Sequence, residues 1–170
     1  MIFAPVLVVW FGFNPARMNS SKLALSFFLI SVLYGISFSV IGLIFTHASI
    51  ARAFFVAAGM FAGLSIYGYT TKKNLDAMGA FVLMGIMGIF FAGILNLFFH
   101  SPGMQNVIAG IGIIAFSGLT AWKTQAMKEM YNASMNPEMA SRVAWDAALT
   151  LYISFIALFQ YIIHFMGQRQ

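Results

Sequence analysis

The chain has 170 residues, of which 61% are hydrophobic and 8% charged, whereas soluble domains carry about 45–50% apolar and about 25% charged residues. So few charges cannot solvate a globular surface, and the nine Lys and Arg set against four Asp and Glu are scattered between apolar runs, which argues for orientation at membrane edges and against a nucleic-acid footprint. The lack of cysteine removes disulfides, thiolate metal sites and Cys nucleophiles together.

A helix needs about 20 mostly apolar residues to cross the hydrocarbon of a bilayer. The first apolar run, residues 1–13, has no basic leader and so does not match a secretory signal. It is too short to span unless something upstream completes it. The connector at 14–22 places Asn14 and Pro15 where one helix ends and Ser20 and Ser21 where the next begins. Four further runs follow at 23–45, 53–69, 77–99 and 107–122, and a last one at 147–166. The longer polar segment between these last two holds Lys123, Lys128, Glu129, Glu138 and Arg142 and is expected to be a helical extension followed by a loop at 132–137. The predicted fold is an all-α integral membrane protein of about six transmembrane helices forming a single domain over 1–170.

If all six runs span, the odd-numbered connectors share a side and hold Arg17, Lys22, Lys72, Lys73, Lys123, Lys128 and Arg142, while the other side has Arg52 and Arg169. This asymmetry puts the odd connectors in the cytoplasm and both chain ends outside. An outside N-terminus without a basic segment points again to a missing upstream helix.

Within the runs, Gly59 and Gly63 form a small-xxx-small pair, and Gly85, Gly88 and Ala92 place small residues near one face of the next run. Ordinary helix packing within the subunit is the expected use of both. His47, His100 and His164 fall on different runs without ligand spacing, so neither a metal site nor a cofactor is expected. Gln160 and His164 share a face of the last helix, where bonding to neighbouring helices is the simpler role. There is no nucleophile–base set and no phosphate loop, which argues against an enzyme.

Three stretches carry a resemblance: Ala48-Ser49-Ile50-Ala51-Arg52-Ala53-Phe54-Phe55, then Ser65-Ile66-Tyr67-Gly68-Tyr69-Thr70-Thr71-Lys72-Lys73-Asn74-Leu75, then Gly118-Leu119-Thr120-Ala121-Trp122-Lys123-Thr124-Gln125. In this order they resemble the Bax inhibitor 1 family, the transmembrane Bax-inhibitor-motif proteins, in its bacterial YccA-like branch. The resemblance implies a seven-helix fold with a central last helix, here lacking its first helix. It also implies a pH-sensitive calcium leak governed by two intramembrane aspartates on the last two helices.

Both aspartate positions are substituted. Trp122-Lys123-Thr124-Gln125 places Lys123 at the first, and Leu151-Tyr152-Ile153-Ser154-Phe155 places Ser154 at the second. Two close carboxylates share a proton and titrate as a pair, which a lysine and a serine cannot do. Calcium normally takes six to eight oxygen ligands, and an ammonium near the membrane centre costs about 2.5–3.5 kcal/mol. Two accommodations of Lys123 are open: its stem snorkels to the cytoplasmic interface, or it stays in the bundle and pairs with Asp146. Asp146 lies eight residues before Ser154, about 12 Å along a helix, too far to replace the lost acid in place. Its simpler role is that of an acid near a helix N-terminus. Arg17 is a candidate for the family's basic residue near the cytoplasmic gate.

The expected function is that of a family member with impaired calcium conduction. The alternative is an interaction protein that regulates, or is a substrate of, the FtsH membrane protease, as the resemblance implies for bacterial relatives. A proton or solute transporter ranks third. The expected partners are the lipid bilayer, calcium and an FtsH-type protease. The expected location is the cell inner membrane, with the mitochondrial inner membrane as the alternative.

Overall fold

The computed structural model of the protein describes residues 19–131 and 135–167. They form five α-helices: α1 (Ser20–Ile44), α2 (His47–Thr70), α3 (Asp76–Phe99), α4 (Pro102–Met130) and α5 (Pro137–Met166). All five are long and apolar enough to cross a membrane, and no β-strand occurs among the described residues. The first apolar run, residues 1–13, lies outside them, so the described part holds five crossings where about six were expected along the whole chain.

Local chemistry sets the helix starts. Pro102 and Pro137 occupy the first turns of α4 and α5, where a missing N–H costs nothing. Ser101 Oγ accepts the N–H of Met104 at 3.4 Å, and Asn136 Oδ1 accepts that of Met139 at 2.8 Å. Thr46 Oγ1 likewise accepts the N–H of Ser49 at 3.3 Å, so α2 begins at His47, ahead of the apolar run at 53–69, and carries Arg52 exposed on its second turn.

The 29 and 30 residues of α4 and α5 make each about 45 Å long at 1.5 Å per residue, against about 30 Å of hydrocarbon. The surplus turns hold Lys123, Lys128 and Glu129 on α4, and Glu138, Arg142 and Asp146 on α5 before its apolar stretch. Several hydroxyls in or beside the spans turn back on their own helices, whereas those of Ser65 and Ser117 are buried without a hydrogen-bond partner among the described residues. Ser31, Thr120, Thr124 and Ser154 each donate to the carbonyl four residues earlier at 2.7–2.9 Å, which satisfies a polar group that lipid cannot.

The central helix is α5: α1, α2 and α4 pack against it, while α3 packs against α4. Leu158, Ile162 and Ile163 of α5 are buried to 2% exposure or less. Lipid-facing residues are the reverse, with Leu43 and Phe98 each 78% exposed, an arrangement that hydrocarbon tolerates and water would not.

The close helix approaches are not where the small-residue pattern put them. A Cβ added to Gly59, Gly63 or Gly88 would meet nothing within 4 Å, and one on Gly85 only the Ala115 Cβ at 3.8 Å. These glycines are therefore not points of tight packing. The tight ones include Gly68, Gly79, Gly112 and Gly118, where an added Cβ would collide with the Ala121 carbonyl, the Trp122 indole, the Tyr161 ring and the Val82 side chain respectively.

The up-and-down course gathers the N-termini of α1, α3 and α5 with the C-termini of α2 and α4. That end carries Lys22, Lys72, Lys73, Lys123, Lys128 and Arg142 and all four acids, Asp76, Glu129, Glu138 and Asp146. Among the described residues the opposite end has Arg52 as its sole Lys or Arg. We call the first the inner end, the side that its charge excess is expected to place in the cytoplasm.

Candidate functional site at the inner end

The segment Trp122-Lys123-Thr124-Gln125 lies where α4 meets both α2 and α3. Parallel helices α2 and α4 touch backbone to backbone at Gly68 and Ala121, a contact only glycine permits at position 68. One residue on, the Trp122 indole lies over Gly79 of α3, and its Nε1 donates to Asp76 Oδ1 at 3.1 Å. Asp76 and Gly79 are three apart and share a helix face, so one provides the acceptor and the other the space.

Lys123 is half-buried, and its Nζ lies 4.7 Å from the centroid of the Trp122 ring, within cation–π range. No ion pair joins it to Asp146. The ammonium thus stands at the inner end against an aromatic face, while Asp146 sits half-buried on α5.

Gln125 is 6% exposed and uses both ends of its amide on the α2–α3 connector. Its Nε2 donates to the Lys73 carbonyl at 2.8 Å, and its Oε1 accepts the N–H of Leu75 at 2.9 Å. The second bond satisfies the residue that precedes α3, a donor that α3 itself cannot serve. One turn further, Lys128 Nζ donates to the Tyr69 carbonyl at 2.8 Å and lies 4.8 Å from the Tyr69 ring centroid. This serves a last-turn carbonyl of α2 with a cation. The four-residue motif and its neighbour therefore tie the inner ends of three helices together.

Ser154 is 1% exposed, and its hydroxyl donates to Thr150 O on its own helix at 2.9 Å. The position that would hold the second family acid is therefore occupied by a short, neutral, self-satisfied side chain. Among the described residues no group of three or more His, Asp or Glu converges to hold a metal ion. Arg17 lies outside the described residues.

A second inner-end tie escaped the sequence reading. Ser20 donates its backbone N–H and its hydroxyl to the two carboxylate oxygens of Glu138 at 3.1 and 3.0 Å, so one acid serves the first turn of another helix. The only hint in the sequence is that each residue opens a helix. Asp76 was likewise missed as the partner of Trp122, although an acid at the start of an apolar run marks a first turn.

These features define a polytopic α-helical membrane protein with a central last helix, in which Trp122, Gln125 and Lys128 of α4 clasp the inner ends of α2 and α3. Residues 1–170 match the family model described as inhibitor of apoptosis-promoting Bax1. A protein of Rickettsia prowazekii is 39% identical over 171 residues, covering 100% of this chain and 72% of the relative. One of Borreliella burgdorferi is 37% identical over 177 residues, covering 100% and 76%. The inner membrane protein YbhL of Escherichia coli strain K12 is 36% identical over 156 residues, covering 91% and 67%. The chain belongs to the Bax inhibitor 1 family.

Proposed function

We propose that the protein is an inner-membrane member of the family in which the calcium leak is impaired. One observation carries this reading: the two positions of the expected acid pair hold a half-buried ammonium set against Trp122 and a buried hydroxyl bonded to Thr150. A cation approaching Lys123 meets like charge, and Ser154 has already used its hydrogen on the helix. Neither position supplies the anionic oxygens that calcium prefers. Nor can the two share a proton, so the switch that would make a leak respond to pH is missing. The inner-membrane placement is supported by the Escherichia coli relative, which is named an inner membrane protein.

Calcium flux into proteoliposomes at several pH values tests this reading. The expected result is little flux in the native protein and no pH response, with a pH-dependent leak appearing when Lys123→Asp and Ser154→Asp are combined. Robust pH-dependent flux in the native protein, abolished by Lys123→Ala, overturns it. Absence of flux in both native and double-aspartate proteins, with co-purification of an FtsH-type protease, would favour an interaction role instead.

A further inference from the structure

Two hydroxyls break the rule that the others keep. Those of Ser31, Ser37, Thr120, Thr124 and Ser154 each donate to the carbonyl four residues earlier. Ser65 of α2 and Ser117 of α4 do not. Their oxygens are buried and have no hydrogen-bond partner among the described residues, so each hydroxyl has turned from its own helix without reaching another protein acceptor. Both lie within apolar spans, where a hydroxyl taken from water with no bond made is costly and hydrocarbon has none to offer.

The two hydroxyls belong to one interface. α2 and α4 run parallel and touch where Gly68 lies against the backbone of Ala121. Ser65 precedes Gly68 by three residues and Ser117 precedes Ala121 by four, spacings that return to the same helix face. At 1.5 Å per residue they stand about 4.5 and about 6 Å back from the contact, so they share one level, a turn deeper in the bundle. Thr120 and Thr124 follow Ser117 at i+3 and i+7 on the same face of α4, which supplies a polar approach from the inner end.

We infer that a single water molecule is bound between Ser65 and Ser117 as a fixed part of the α2–α4 interface, bridging the two hydroxyls. This goes beyond the calcium reading and does not depend on it. The partner must both donate and accept, because each serine does both. It must also be small, because the serine oxygens are buried, and neutral, because two hydroxyls offer an ion no opposite charge. Water meets all three conditions. The bridge carries the polar ties of the inner end one turn into the hydrocarbon, where it links α2 to α4 in place of a direct bond between side chains.

The test joins stability to water contact in the full chain. Ser65→Ala and Ser117→Ala should each lower the melting midpoint in detergent micelles by about 2–4 °C, the scale of one lost hydrogen bond. The reference is Ser37→Ala, which removes a hydroxyl bonded to its own helix at Leu33 and so corrects for the helix propensity of alanine. The double variant should lose little more than either single one, because each single change already breaks the bridge. In bilayers, solid-state NMR transfer from water protons should reach the Cβ of Ser65 and Ser117 sooner than that of Ser31, also half-buried but bonded to Phe27. Ser65→Ala should remove the early transfer to Ser117. Unchanged or higher midpoints in the single variants overturn the inference, since they mean hydroxyls left unpaired or turned back on their own carbonyls. So do additive losses, and so does coupling without water transfer, the mark of a direct bond between the two serines.

Discussion

The inner end of the bundle and its distal half share aromatic contacts between helices, Phe27 against Trp145 and Tyr152 on the inner side among them, but differ in their polar ties. At the inner end, side chains cross between helices to polar partners: Gln125 and Lys128 reach α2 and its connector, Trp122 reaches Asp76, and Ser20 reaches Glu138. In the distal half the contacts between helices are aromatic, with Phe38 against Phe159, Phe61 against Phe155, and Phe45 against His164. Polar groups there bond within a turn or two, as Thr46 does with Ser49 and Asn96 with the N–H of Ser101. The inner ties sit on helix turns that extend past the hydrocarbon and can be assembled at the interface, where an unmade bond is served by water. Within hydrocarbon an unmade bond is costly, so the fold relies there on shape.

The largest expected effect comes from the point where shape and polar ties meet. Gly68→Leu forces α2 away from the Ala121 carbonyl and should cost about 3 kcal/mol or more, the upper range for overpacking. Gly59→Leu, on the same helix but in open space, should cost almost nothing. Unfolding in mixed detergent micelles reads the difference, and equal losses would mean that α2 and α4 do not touch where the structure places them.

Next in size is the clasp itself. Gln125→Leu keeps most of the volume but strands the Leu75 N–H and the Lys73 carbonyl, for an expected loss of about 2 kcal/mol. Gln125→Glu retains the acceptor for Leu75 and loses only the donor to Lys73, so it should fall between the native protein and the leucine variant. Hydrogen exchange should show the same order at the start of α3, with the Leu75 amide exchanging fastest in the leucine variant.

These two sites also show what one dimension of sequence can and cannot convey. Most of the spans were legible, because each depends on residues within a single run, whereas the helix caps at Thr46, Ser101 and Asn136 were not read from the sequence and the expected serine cap before α1 is replaced by Asn19 without a side-chain bond. Which glycine touches a neighbour was not legible either. Gly59 and Gly63 match the small-xxx-small spacing, yet Gly68 makes the contact, and spacing along one helix does not say where the next helix lies. The clasp was visible as a word, Trp122-Lys123-Thr124-Gln125, but its partners at Asp76, Lys73 and Leu75 lie about fifty residues away and follow from the order of helices around α4. The substitutions at Lys123 and Ser154 stood out only through family resemblance, since a lysine at the end of an apolar run and a serine within one are unremarkable in themselves. Both accommodations of Lys123 fitted its sequence, and the neighbouring Trp122 ring that its ammonium lies against was not foreseen.

A smaller effect is expected at the edge of the clasp. Trp122→Phe leaves an aromatic ring over Gly79 but removes the N–H that Asp76 accepts, for an expected loss of about 1 kcal/mol. Asp76→Asn, which still accepts that bond, should lose less. The reverse order would place the weight on the carboxylate charge at the first turn of α3.

The smallest effect belongs to Glu138, which is exposed and lies on the polar extension of α5, outside the membrane-spanning stretch. The backbone N–H of Ser20 and then its hydroxyl, with Arg142 adding a favourable charge, hold its carboxyl below the ordinary value of 4.5 against a slight opposing effect of burial. A depressed carboxylate stabilises the folded state in full above its unfolded value, and that contribution fades as pH falls from there through the folded value. The native protein should therefore lose a small increment of thermal stability over this acid window and none of it between neutral pH and the start of the window. Glu138→Gln keeps an acceptor for Ser20 but has no charge to titrate, so its increment should be missing already at neutral pH. Asp76, Glu129 and Asp146 are present in both proteins, and subtracting one melting profile from the other cancels their titration. A difference that narrows with acidification assigns the acid-sensitive tie between α1 and α5 to this carboxylate, whereas a constant difference would reduce Ser20 and Glu138 to neighbours without electrostatic consequence.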